Sequence, residues 1–313
     1  MKKRPLGQTG ELVSALSLGT MYFNTLVNAT DSMAIMDAYT AAGGSFIDTA
    51  NMYASWLDGF IGGESEALIG KWMKDRKNRH TLFLSTKVGL PMKNVPESLD
   101  RKLIVKECEN SLRRLQIDSI DLYFAHREDA QTPIEETLEA FTSLVKAGKV
   151  RHVGISNHST WRVVEANVIA QTRGLIQFCC AQYKHTYIRP RHGTRFDPQM
   201  AASEDLLEYC FHEGISVMAY SPLMGGSYGN PDIPLWNQYE SADTNARLDA
   251  IRGMAKESGI HVNKLVLAWL MQSKYQVIPI ITAETVSQIL ENIDAINVEL
   301  SGDQFNQLAD VSA

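Results

Sequence analysis

Eight short apolar runs punctuate the chain: SALSLG, SFIDT, TLFLSTK, SIDLYFAH, VRHVGIS, IQFCCAQY, ISVMAYS and VIPIIT. Between them, apolar residues recur at three- and four-residue spacings, as in Asp31 to Ala42, Glu64 to Lys74, Arg101 to Leu115, Ile134 to Lys146 and Ala202 to His212. A short continuous apolar run fits a strand buried on both faces, whereas the wider spacing fits an amphipathic helix. Strands that alternate with helices run parallel, because a parallel pair needs a long crossover and a helix supplies it. Eight such units predict an α/β fold closed into a (β/α)8 TIM barrel, with residues 1–313 as one domain.

The opening RPLGQTGELVSALSLG departs from that rhythm. Gly7 and Thr9-Gly10 are turn signals between two short extended runs, which predicts an N-terminal β-hairpin placed to plug the bottom of the barrel. Two irregular stretches, Tyr187 to Met200 and Met224 to Ser241, are rich in Gly, Pro, Asn and Arg. They read as long functional loops at the C-terminal face rather than linkers.

Composition narrows the function classes. With 44% hydrophobic and 21% charged residues the chain has ample material for a large core. A formal net charge of -6 offers no general attraction to nucleic acid or to an anionic membrane. MKKRPLGQTG is not followed by an apolar leader, and no run of about 18 apolar residues occurs. A cytoplasmic protein acting on a small molecule is expected. Cys108, Cys179, Cys180 and Cys210 lack CxxC spacing and read as reduced core residues, so no metal is expected.

The chemistry lies at the strand ends. Asp48, Lys87, His126, Ser156 with Asn157, Gln182, Tyr220 with Ser221, and Thr282 all stand where an apolar strand finishes. That edge is the active-site face of a barrel. Three ionisable types ending successive strands converge on one rim. Tyr53, in FIDTANMY, follows Asp48 by five residues and so falls in the loop above the mouth. A phenol of pKa about 10 is a poor acid at neutral pH. A lysine ammonium about 4 Å away favours phenolate by roughly 4 kcal/mol, which is expected to bring Tyr53 toward working pH as a proton donor. Asp48 is the expected partner of Lys87 and is expected to raise its pKa. His126, as a neutral donor, would orient a substrate oxygen.

These residues resemble those of the aldo/keto reductase family over essentially the whole chain, through RPLGQTGELVSALSLGT, FIDTANMY, GESEALIG, STKVG, SLRRLQIDSIDLYFAH, GKVRHVGISN, CAQY, MAYSPL and ILEN. The resemblance implies NAD(P)H-dependent carbonyl reduction by a tetrad of Asp48, Tyr53, Lys87 and His126, with Tyr53 as general acid. It implies further that Ser156, Asn157 and Gln182 hold the nicotinamide carboxamide and that Tyr220 stacks on the ring. Ser221, Pro222 and Leu223 match the pyrophosphate segment, Glu291 and Asn292 the adenine end, and Thr20 and Met21 complete the expected cofactor contacts.

The sequence departs from the family pattern after the last strand. Thr282, Glu284 and Gln288 occupy the region where many members clamp the adenosine 2'-phosphate with Lys or Arg. Glu284 would repel a phosphate and could instead accept a bond from a ribose hydroxyl. The loop LMGGSYGN also lacks a basic residue, so NADH use is expected beside the NADPH implied by resemblance, unless Arg189, Arg191 or Arg195 compensates. Tyr22, Trp56 and Arg127 are the expected substrate contacts, with Phe23, Leu57, Phe60, Trp161 and Trp236 as further candidates. Two alternatives exist on this fold. One is a Schiff-base aldolase using Lys87, and the other a cofactor-sensing regulatory subunit similar to potassium-channel beta subunits. The aldolase needs a lysine of lowered pKa, whereas pairing with Asp48 is expected to raise it, and the complete tetrad with a hairpin beginning almost at Met1 favours catalysis over the regulatory subunit.

Overall fold

A computed structural model describes residues 1–311. Strands β1 (Lys3–Pro5) and β2 (Leu12–Ser14) pair antiparallel as the expected hairpin. The next eight strands close a parallel barrel: β3 (Ser17–Gly19), β4 (Phe46–Asp48), β5 (Phe83–Val88), β6 (Ile120–Ala125), β7 (Val150–Ser156), β8 (Cys180–Lys184), β9 (Ser216–Tyr220) and β10 (Ile278–Ile281). Strand β10 pairs with both β9 and β3, which leaves the barrel without a sheet edge.

Seven of the helices are α1 (Ala29–Ala41), α2 (Glu64–Arg76), α3 (Arg101–Leu115), α4 (Ile134–Lys146), α5 (Thr160–Arg173), α6 (Glu204–His212) and α7 (Ala242–Ser258). They are followed by α8 (Val262–Gln272), α9 (Val286–Asp294) and α10 (Gly302–Ala309). Helix α6 starts two residues later than the apolar spacing suggests, because the Ser203 side chain caps it by accepting from the Leu206 N–H.

Side-chain alternation assigns each strand residue to a layer. Ile47, Leu84, Tyr123, Val153, Ala181 and Val217 point outward and are sealed under the helices. Phe46, Phe83, Leu122, Phe124, Cys180, Met218 and Ile280 fill the interior, joined from below by Leu6 and Val13 of the hairpin. The hairpin is thus the barrel's floor. Gly154 faces Phe124 so closely that a Cβ would come within 2.3 Å of its ring, which explains a glycine in mid-strand. Above this apolar plug, the same period of two brings polar side chains inward, and the mouth is built from them.

Candidate active site at the barrel mouth

Asp48 ends β4, Lys87 lies in β5 two residues above Ser85, and His126 follows β6 directly. The loop after β4 carries Tyr53 back over the mouth, with a left-handed residue, Ala54 (φ 65), immediately after it. Lys87 Nζ then lies 2.6 Å from the Tyr53 hydroxyl, 2.6 Å from Asp48 Oδ2 and 2.8 Å from the Thr49 carbonyl. Three acceptors match the three donors of an ammonium. Asp48 is equally saturated: Oδ1 accepts from Ser85 Oγ at 2.7 Å and Gln182 Nε2 at 3.0 Å, while Oδ2 receives Lys87 and, at 3.3 Å, Tyr53. Both charges of the Lys87–Asp48 pair are fully buried, and such a pair persists only when its remaining hydrogen-bonding capacity is met.

The proton affinities depart from expectation in two places. Burial raises the Tyr53 phenol well above its ordinary value, and the Asp48 carboxylate beside it adds to that rise. Lysine does not dominate, because removal from water penalises phenolate and the nearest carboxylate opposes it. Burial likewise lowers Lys87 below the usual ammonium value, although Asp48 pulls the other way. The expected rise from pairing is present but outweighed.

His126 is held neutral, since burial and then the Lys87 charge both lower it well below an ordinary imidazole. Among the described residues its Nδ1 is buried without a partner. The ring stands edge-on to Tyr53 with centroids 6.3 Å apart.

The residues assigned to the nicotinamide also meet. Asn157, left-handed at φ 53, donates through Nδ2 to the His126 carbonyl and to Ser156 Oγ, and accepts at Oδ1 from Met200 N–H and the Tyr220 hydroxyl. Ser156 Oγ donates to the Gln182 carbonyl at 2.8 Å. Gln182 spends its amide nitrogen on Asp48, leaving Oε1 as an acceptor. Tyr220 is half-buried beside them. Thr20 is fastened to the Asp48 carbonyl, and Met21 is half-buried next to it. Ser221, Met224, Gly225 and Gly226 all take positive φ, so the backbone after β9 coils tightly around Pro222 and Leu223.

Other predicted contacts are already committed. Arg127 is bound to Glu97 at 3.1 Å and Asp197 at 2.7 Å, so it tethers the 187–200 loop instead of presenting a free guanidinium. Gln288 completes the capping box of α9, its Oε1 accepting from the N–H groups of Glu284 and Thr285. Glu291 lies 3.2 Å from His261 Nδ1, and Asn292 Nδ2 donates to the Thr282 carbonyl. Thr282 and Glu284 are exposed. Of the compensating arginines, Arg189 lies 4.0 Å from Asp243, and Arg191 and Arg195 are exposed on the loop. Tyr22 and Trp56 meet edge-on at 6.4 Å as one lip, with Trp56 half exposed. Trp161 stands apart in the first turn of α5 under the Arg162 guanidinium.

Sequence reasoning missed Lys184. It alternates with Gln182 along β8, and that period of two was the available signal.

The sequence profile described as the Aldo/keto reductase family matches residues 15–313. The chain is 32% identical over 320 residues to a Bacillus subtilis protein described as uncharacterized oxidoreductase YrpG, covering 98% of this chain and 94% of that one. It is 29% identical to the norsolorinic acid reductase stcV of Emericella nidulans, covering 96% and 79% respectively. The crystal structure of the thermostable aldo-keto reductase Tm1743 with the inhibitor epalrestat superposes with a TM-score of 0.79 at 28% identity, over 100% of both chains.

Proposed function

The chain belongs to the aldo/keto reductase family, and on that premise we propose that its one barrel domain, residues 1–313, reversibly reduces the carbonyl of an aldehyde or ketone, with Tyr53 as proton donor. The observation that carries the proposal is the 2.6 Å contact between Lys87 Nζ and the Tyr53 hydroxyl inside a water-poor mouth. When bound, a reduced nicotinamide supplies the hydride. Gln182 Oε1 and the half-buried Tyr220 ring fit that group, one as acceptor for its carboxamide and one as a stacking face; Ser156 and Asn157 frame the same wall. Ser221, Pro222 and Leu223 would follow the pyrophosphate, since alternating backbone handedness forms anion-binding concavities. Thr20 and Met21 border the nicotinamide; Thr282, Glu284, Gln288, Glu291 and Asn292 frame the adenosine end.

The raised Tyr53 phenol remains protonated at neutral pH and is therefore loaded before the reaction begins. A substrate oxygen becoming an alkoxide is a far stronger base than a phenolate and takes that proton. Lys87, already donating to the Tyr53 oxygen, stabilises the charge left behind, and Asp48 keeps the lysine in place. Neutral His126 offers Nε2–H to the same oxygen and fixes its direction. In the oxidative direction the same groups work in reverse.

No cation stands among Thr282–Gln288, and Glu284 is exposed there, which supports NADH use beside NADPH. Tyr22 and Trp56 form an aromatic lip suited to a ring-bearing carbonyl compound, in keeping with a relative named for norsolorinic acid. The unpaired cysteines accord with a cytoplasmic location. Oxidation of NADPH and NADH against a panel of aliphatic, aromatic and polycyclic aldehydes and ketones tests the reading. Turnover of none of them would reject it.

A further inference from the structure

Lys184 is buried to 2% exposure at the end of β8, facing the mouth beside Tyr220, its register partner on β9. Asp48, Glu66, Lys87, Glu107, Asp121 and Arg247 are buried too, and each has an opposite charge within 4.0 Å. Among the described residues Lys184 has no such carboxylate, and its ammonium has no hydrogen-bond acceptor. What surrounds it instead is aromatic: Nζ lies 3.8 Å from the Trp236 ring centroid, 5.3 Å from that of Tyr220 and 5.5 Å from that of Phe196. An ammonium largely withdrawn from water over a tryptophan face is a favourable case of a cation–π contact.

Those rings come from three separate segments. Phe196 belongs to the 187–200 loop, Trp236 to the 224–241 loop and Tyr220 to the strand end. Tyr239 joins the two loops by packing on both Phe196 and Trp236. The Lys184 backbone also receives the returning end of the first loop, donating to the Met200 carbonyl and accepting from the Ala202 N–H.

We infer that Lys184 is a positioning residue, an ammonium latch that fastens both long loops around Tyr220 and thereby holds the cofactor groove closed. This rests on the reading of the mouth as a nicotinamide site. The charge matters because the same side chain without its proton loses the attraction to all three rings. Burial lowers Lys184 to about 7, so the latch opens over the neutral range. Around it, burial raises Tyr220 beyond the ordinary phenol range and Tyr239 likewise, and lowers His185 to about 4. Asp197 is held by Arg127. Asp232 and Glu240 lie exposed on the second loop; His192, Arg189, Arg191 and Arg195 lie exposed on the first.

Two measurements separate the latch from the cofactor reading. In the cofactor-free protein at about pH 6, where Lys184 is charged, trypsin should cut after Arg191 and Arg195 about tenfold faster in Lys184→Met than in wild type or Lys184→Arg. Equal rates in all three would overturn the latch whatever the mouth binds. In the holoenzyme, NADPH dissociation from wild type should accelerate about tenfold between about pH 6 and pH 8, and stay flat in Lys184→Arg and Lys184→Met. A pH dependence that survives in Lys184→Arg belongs to another group and overturns the assignment. Failure to bind either NADPH or NADH at any pH, with the proteolysis difference intact, would leave a loop latch and remove the cofactor reading.

Discussion

Lys87 Nζ and the Tyr53 hydroxyl are 2.6 Å apart, yet the phenol binds its proton more tightly than a free tyrosine does. Proximity to a cation and a raised pKa coexist because the same pocket excludes water and contains Asp48. In the proposed mechanism Lys87 is then less an acidifier of the resting phenol than a stabiliser of the phenolate formed during turnover.

That pair constrains stability. Lys87→Met leaves the Asp48 charge buried without its counter-ion and should lower unfolding free energy by about 3–5 kcal/mol in urea titrations. Adding Asp48→Asn should restore most of the loss without restoring activity. A single mutant as stable as wild type would show that the pair carries little.

The pH profile of reduction follows from two directions. His126 lies well below an ordinary imidazole and Tyr53 well above an ordinary phenol, so neither changes charge across the neutral range. The chemical step measured in single turnovers should show no acid limb from His126 near about 6.5 and no basic limb from the Tyr53 phenol below about 10, and any basic limb below that reports loss of the Lys87 charge, which burial makes easier. An acid limb near the imidazole value that vanishes in His126→Gln would contradict the assignment.

Acid should unfold the protein partly through His158. Its ring is buried against the Ser156 carbonyl at 2.7 Å, and burial lowers it to about 4. The unfolded chain binds the proton first, so stability is full above about 6.5 and falls as pH drops toward the folded value, by on the order of 3 kcal/mol in all. Thermal midpoints between about pH 7 and pH 4 should decline less steeply in His158→Asn; parallel curves would assign the loss to other groups.

The proposed use of NADH turns on Glu284. Wild type should use NADH with kcat/KM comparable to or above that for NADPH, and Glu284→Arg should shift the ratio toward NADPH by about tenfold or more. A wild-type preference for NADPH above about a hundredfold would refute the reading, and would direct attention to Arg189, Arg191 and Arg195.

The alternation of strands and helices was legible because buried parallel strands leave unbroken apolar runs, and the polar residue ending each run marked the rim. Asp48, Lys87, His126, Ser156, Asn157, Gln182 and Tyr220 were found that way, and the structure gathers them in one hydrogen-bonded cluster. Side-chain commitments across the fold were not legible. Nothing near Arg127 in sequence announces Asp197, seventy residues on. The proton affinity of Tyr53 depends on excluded water, which spacing does not report. Two signals were present and unused: the Thr285-to-Gln288 spacing of a capping box, and the alternation that aligns Lys184 with Gln182.

The most direct test compares wild type with Tyr53→Phe, measuring NADPH or NADH binding by fluorescence and its oxidation with an aromatic aldehyde in the same samples. The expected result is unchanged cofactor affinity with kcat reduced by about a hundredfold to ten-thousandfold. Turnover that survives the loss of the hydroxyl would contradict the proton-donor role on which the mechanism stands.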